Sequence, residues 1–218
     1  MPNWCNNRLT VLGPANRVAA FVKKANGPGP RYKAQRWDIV EWEAKCKKAE
    51  AEGKPKPPHP DEEEREPMAM SFHQLRPIPP EIEKGDYDPG GYNAEHQLWG
   101  CKWGACESKL VSEGNGRADY EFDTPWGPAT ELFEFISKNE WSDLTFICSW
   151  GEEFPSRGRF AVRGGTFIAN VCDHSMSNSG PGDPPEGLDD EAQSQWYTDW
   201  ERYYYDRHEA FVVECTPS

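Results

Sequence analysis

WCNNRLTVLGPANRVAAFVKKANG, residues 4–27, decides how the fold is read. In its first part Cys5, Asn7, Leu9 and Val11 share one side and Trp4, Asn6, Arg8 and Thr10 the other, the period-two pattern of a half-buried strand. Gly13-Pro14 stops that strand. Val18, Phe21, Val22 and Ala25 then fall on one helical stripe, and Gly27 is the residue type that ends a helix. The stretch predicts strand, tight turn, amphipathic helix. A second unit of the same kind lies further along. There Tyr120 and Phe122 alternate with Asp119, Glu121 and Asp123, Thr124-Pro125 breaks the run, and Leu132, Phe133 and Ile136 mark an inward helical stripe. Two more strands are expected in MAMSFHQLRPIPPEI, residues 68–82, where Met70 and Phe72 alternate with Ser71 and His73, and in DLTFICSWGEE, residues 143–153.

The resulting order, β-α-β-β-α-β, is that of the ferredoxin-like split βαβ unit, an α+β arrangement with a four-stranded antiparallel sheet and two helices on one face. Residues 157–172, divided by Gly164-Gly165, predict a C-terminal β-hairpin extension of that sheet. Residues 31–69 read as an insertion. Within it RWDIVEWEAKCKKAEAEG is an inserted charged helix with a thin apolar stripe at Trp37, Val40 and Ala44, and KPKPPHPDEEEREP is too rich in proline and acid to pack, hence a solvated loop. Residues 85–105 read as a loop whose Trp99 and Trp103 dock onto the core. Residues 1–172 thus form one domain, and 173–218 an acidic, aromatic-rich segment packed on it. In that segment a helix is expected over 189–208 and a last strand at AFVVECT, residues 210–216.

Composition narrows the function classes. The 218 residues carry a net charge of −13, and residues 173–218 concentrate it, with eleven acids against Arg202 and Arg207. Such a field repels phosphate backbones, and no basic patch counters it, so direct nucleic-acid binding is not expected. No apolar run is long enough for a membrane span, no leader-like segment opens the chain, and seven cysteines without framework spacing fit reduced thiols. A cytoplasmic protein is expected.

Four constellations carry candidate chemistry. Cys101 and Cys106 with Cys5 and His96 have donor types that suit zinc but spacing that does not, so no metal is expected, and buried thiols are the plainer reading. The face of the sheet away from the helices should gather Arg8, Asp119, Glu121 and Asp123, with His73 on a flanking strand; a carboxylate beside a histidine can transfer protons or hold a cation. On the plainer reading these residues are solvated or covered by the C-terminal segment. The glycines and tryptophans of WGCKWGA, residues 99–105, suit either an aromatic clamp or a core plug. In the tail, Trp196, Trp200 and Tyr204 stand among Asp189, Asp190, Glu191, Asp199 and Glu201, the composition of an interface anchor with a charged rim. Phosphate-binding loops, dinucleotide fingerprints and nucleophile elbows are absent from the sequence. Catalysis and cofactors are not indicated.

MPNWCNNRLTVLGP at 1–14, RPIP at 76–79, WGCKWGA at 99–105, YEFDTPWGPA at 120–129 and SWGEEF at 149–154 together resemble the phage- and plasmid-encoded family typified by YubB. The resemblance implies a ferredoxin-like core and a mobile-element origin, and supplies no activity or catalytic residue to carry over. With the acidic tail it leads to the expectation of a non-catalytic phage or plasmid protein. That protein would bind, and inhibit, a host protein such as a defence nuclease complex, occupying a basic cleft through its acidic surface. A small-nucleotide or metal-dependent activity on the open sheet face is the alternative.

Overall fold

The sheet is organised around β1 (Trp4–Leu12) in the computed structural model, which describes residues 3–62, 64–152, 156–173, 185 and 187–216, with the backbone alone for Asp173, Trp200 and Glu201. β1 lies between β3 (Arg117–Pro125) and β4 (Thr145–Glu152) and is antiparallel to both, so Leu9 stands opposite Tyr120 on one side and Cys148 on the other. β2 (Cys106–Gly114) borders β3, while β5 (Arg157–Arg163) and β6 (Thr166–Asp173) extend the sheet past β4. The order is β2-β3-β1-β4-β5-β6, antiparallel throughout.

Alternation on these strands sends one set of side chains to each face. On the first face Leu9, Tyr120, Phe122 and Phe146 meet Val18, Phe21 and Ala25 of α1 (Ala15–Ala25) and Leu132, Phe133 and Ile136 of α6 (Thr130–Lys138) in one core. Edge-to-face rings lock it, with Phe21 at 5.4 Å from Trp141 and 5.3 Å from Phe146. The two-residue β5–β6 turn at Gly164-Gly165 is as the sequence predicts. α2 (Arg36–Ala51) fills the insertion and opens with a capping box, the Gln35 N–H donating to Asp38 at 2.8 Å. On the second face lies α7 (Asp190–Cys215), whose Phe211, Val212 and Cys215 pack with Ile147 and Ala161.

Five expectations are corrected. The run at 70–76 is no strand. Phe72–Leu75 is a single helical turn, α3, that points Phe72 at Trp99 and Phe122. The place beside β3 is taken by β2, joined to it through Asn115-Gly116, both with positive φ as a two-residue hairpin demands. A Cβ at Gly116 would collide with the carbonyl oxygen of Gly13. Residues 85–105 are not all loop. After the short α4 (Pro80–Glu83) and a wide turn at Tyr87–Gly91 they form α5 (Tyr92–Trp99), which plugs Trp99 fully into the core but leaves Trp103 exposed. On α2, Trp37 and Val40 are largely exposed and Cys46 is the buried residue, so the expected stripe does not face the core. The proline-rich segment folds back on α2, with His59 against the Trp42 ring and Pro57 accepting its indole N–H at 3.2 Å. Finally AFVVEC continues α7 instead of pairing as a strand, since Phe211 and Cys215, one turn apart, both reach the sheet.

Candidate functional site

On the second sheet face, register places Arg8 opposite Glu121 and Ser149, and Thr10 opposite Asp119. Arg8 pairs Glu121 at 2.5 Å and stacks on Tyr205 of α7, Lys109 approaches the same carboxylate at 2.8 Å, and Asn6 donates to Asp123 at 2.9 Å. Burial alone would raise the Glu121 pKa, but hydrogen bonds from Lys109 and Arg8 outweigh it and hold the carboxyl below its ordinary value. Asp119 behaves the same way, with Arg117, Ser112 and Thr10 as donors. Arg117 also binds Glu209 of α7 through two hydrogen bonds.

α7 closes this face with His208, a residue the sequence reading passed over. It is 1% exposed and lies 2.9 Å from both Thr10 Oγ1 and Ser149 Oγ. Thr10 gives its proton to Asp119, so His208 Nε2–H donates to Thr10 and Nδ1 accepts from Ser149. Burial pushes the imidazole pKa down to about 4, and Arg8 and Arg117 add to this against Glu209 and Asp119. The arrangement joins a hydroxyl, an imidazole and a carboxylate in series, but beneath a helix and with every proton committed. It therefore anchors α7. Arg8, Asp119 and Glu121 come together here with Asp123 as expected, whereas His73 does not. It sits in α3, where its Nδ1 accepts the Ile78 N–H and its Nε2 lies 3.4 Å from Glu83.

At the Trp4 end of the sheet the segment Gly100–Ala105 builds a different surface. Trp103 stacks near Trp4 with ring centroids 6.3 Å apart, and Lys102 Nζ sits 3.7 Å from the Trp103 ring centroid and 4.1 Å from that of Trp126. Trp103 also walls a cleft of about 560 Å³ between the insertion and the turn before α5, lined with Tyr32, Trp37, Trp42, Arg65 and Tyr87. At its floor Glu95, 1% exposed, accepts from Tyr32 Oη and Tyr87 Oη at 3.0 Å each and from the Trp103 N–H at 2.7 Å. Burial raises the Glu95 pKa, and these three donors oppose it. The cleft needed the proline-rich segment to fold back, which no local pattern announces.

The tail residues divide along α7. Asp189 is its N-cap, accepting the Ala192 N–H at 2.8 Å, and Asp190, Glu191 and Asp199 are exposed. Trp196 is half-buried against Tyr197, and Tyr204 is half-buried beneath Arg157. The side chains of Trp200 and Glu201 lie outside the described residues. Cys5 and Cys106 lie near enough to Cys101 to add to the rise that burial imposes on its thiol pKa. Burial pushes the thiols of Cys5 and Cys106 up to about 12 and about 11, and among the described residues no group of three or more His, Cys, Asp or Glu could hold a metal.

Fold and surfaces together define an α+β protein whose six-stranded antiparallel sheet has a helical core layer on one face and a single anchored helix on the other. Among solved structures the chain is similar to the crystal structure of protein api92 from Yersinia pseudotuberculosis, described by the family model DUF1281. That likeness has 11% identity and a TM-score of 0.52, and it covers 80% of this chain and 99% of that one. At that identity the likeness concerns the fold alone. No family model matches the chain, and no curated protein matches it. Among the described residues no helix is long and apolar enough to cross a membrane.

Proposed function

We propose that the protein is a non-catalytic binding protein, encoded by a phage or plasmid, that engages and inhibits a host protein with a basic nucleic-acid-binding cleft, such as a defence nuclease complex, through the acidic half of α7. The first four strands with α1 and α6, in the order β2-β3-β1-β4, are read as a ferredoxin-like split βαβ core that serves as platform. The observation that carries the reading is the asymmetry of α7. From Tyr204 to Cys215 the helix is tied down by cation–π, imidazole and apolar contacts to the sheet. Asp190, Glu191 and Asp199, in its other half, face solvent. A charged rod held at one end steers a basic partner and presents carboxylates without first ordering them.

The test starts with affinity purification from the host and continues with surface plasmon resonance of the recovered partner at two salt concentrations. Asp190→Asn/Glu191→Gln/Asp199→Asn should slow association at low salt, with the difference shrinking at high salt because exposed charges are screened beyond about 10 Å at 0.1 M. Asp189 is left intact because it caps the helix. A wild-type association rate at low salt would refute the proposal.

A further inference from the structure

We propose that the slot between Trp103 and Trp126 is a binding site for an alkylammonium group, in which Lys102 is the resident occupant that an external cation displaces. The inference is independent of partner docking by α7.

The Lys102 ammonium lies over two indole rings at once, at 3.7 and 4.1 Å from their centroids, well inside the range over which a ring quadrupole attracts a cation. Its own position shows that the slot has the width and the polarity for such a group. The rings do not belong to the core, since Trp103 is 41% and Trp126 49% exposed. By contrast, Arg17 and Arg159 lie over Trp141 and Phe211, which are buried and need covering.

Both tryptophans hold φ near +60°, 63° and 62°, a region bulky side chains avoid. Such a conformation persists only where the surroundings over-determine it, and it concentrates at ligand clamps. The surroundings are identifiable. The Trp103 N–H is fixed on the buried Glu95 carboxylate at 2.7 Å, and the Trp126 N–H on the Asn3 carbonyl at 2.9 Å. Neither pin involves Lys102, so withdrawing that side chain leaves the walls standing. Trp4 abuts Trp103 from the sheet. The negative charge of the chain favours a cation at this site over any anion.

The test is titration of the full chain with tetramethylammonium chloride, against sodium chloride at matched ionic strength and against tert-butanol as the uncharged shape control. Binding is read from the indole N–H resonances of Trp103 and Trp126, assigned with single Trp→Phe variants. The expected result is saturable shifts of both resonances in the wild type and none with tert-butanol. Affinity should rise about fivefold in Lys102→Ala, the gain set by removing an occupant held by an exposed cation–π contact. Lys102→Gln serves as a second vacated variant, and Trp126→Ala in either background should abolish binding. Absence of saturable shifts in the wild type and both Lys102 variants, equal response to tert-butanol, or unchanged affinity on removing Trp126 would overturn the site. Equal affinity of wild type and the Lys102 variants would overturn the displacement.

Discussion

Acidification should loosen the molecule through His208. In the unfolded chain its imidazole takes a proton near pH 6.5, in the folded protein only near pH 4, because burial beneath α7 penalises the charged form. Between those values unfolding absorbs a proton, so falling pH favours the unfolded state. The stability contributed by the neutral, buried ring is fully present above pH 6.5 and is lost as pH falls toward 4. The interval between the two values corresponds to about 3 kcal/mol, a large part of the net stability of an ordinary domain. The perturbation is His208→Gln, which keeps an amide between Thr10 and Ser149 but does not titrate. Urea unfolding of both chains from pH 7.5 to pH 4 isolates the effect, because the carboxylates are common to both. The stability advantage of wild type over the variant should shrink by about 3 kcal/mol across that range. An advantage that stays constant with pH would show that the imidazole is solvated or charged in the native state, and the anchoring argument would fail.

Cys5→Asp should destabilise by several kcal/mol in chemical denaturation, since Cys5 is fully buried and faces the core side of β1; an unchanged midpoint would sink that register. Phe211→Ala should lose about 3 kcal/mol by removing a fully buried ring from the cluster that it forms with Ile147 and Ala161 beneath α7, measured in the same way. Gly116→Ala should cost more than about 1 kcal/mol, because a positive φ and the Gly13 carbonyl both oppose a Cβ there, and its melting temperature should fall accordingly. A double-mutant cycle on Arg117 and Glu209 should give about 1 kcal/mol or less despite the two hydrogen bonds, as the pair is about 30% exposed on each side and screened by water; a much larger coupling would mean that it is effectively buried.

What the sequence made legible was the pair of strand-and-helix units, because β1, β3, α1 and α6 each bury one face and leave the periodic signature of doing so. β2 left none. It borders the sheet and is exposed over most of its length, so CESKLVSEG has no apolar alternation, and only Asn115-Gly116 marked the hairpin. The end of α7 misled by composition. Phe211, Val212 and Val213 favour strands locally, but contact with Ile147 and Ala161 decides for the helix. Among site residues, Arg8 found its acids because neighbouring strands fix cross-strand pairs. His208 was a lone histidine in an acidic run, and only the tertiary approach of α7 gives it Thr10 and Ser149. The aromatic slot depends on two residues with unusual backbone angles, a property that residue type does not encode.

Glu95 makes the cleft and the aromatic slot parts of a single thermodynamic unit. One carboxylate holds a hydroxyl of the insertion through Tyr32, a hydroxyl of the turn before α5 through Tyr87, and the main chain of Trp103. Groups that share one acceptor do not contribute separately, since removing any of them changes what the remaining two receive. Substitutions at Tyr32 and Tyr87 should therefore combine non-additively, and either should be felt at Trp103 through the carboxylate that all three share. The insertion is thus no free surface appendage, since its tyrosine completes the hydrogen bonding of a buried carboxyl group.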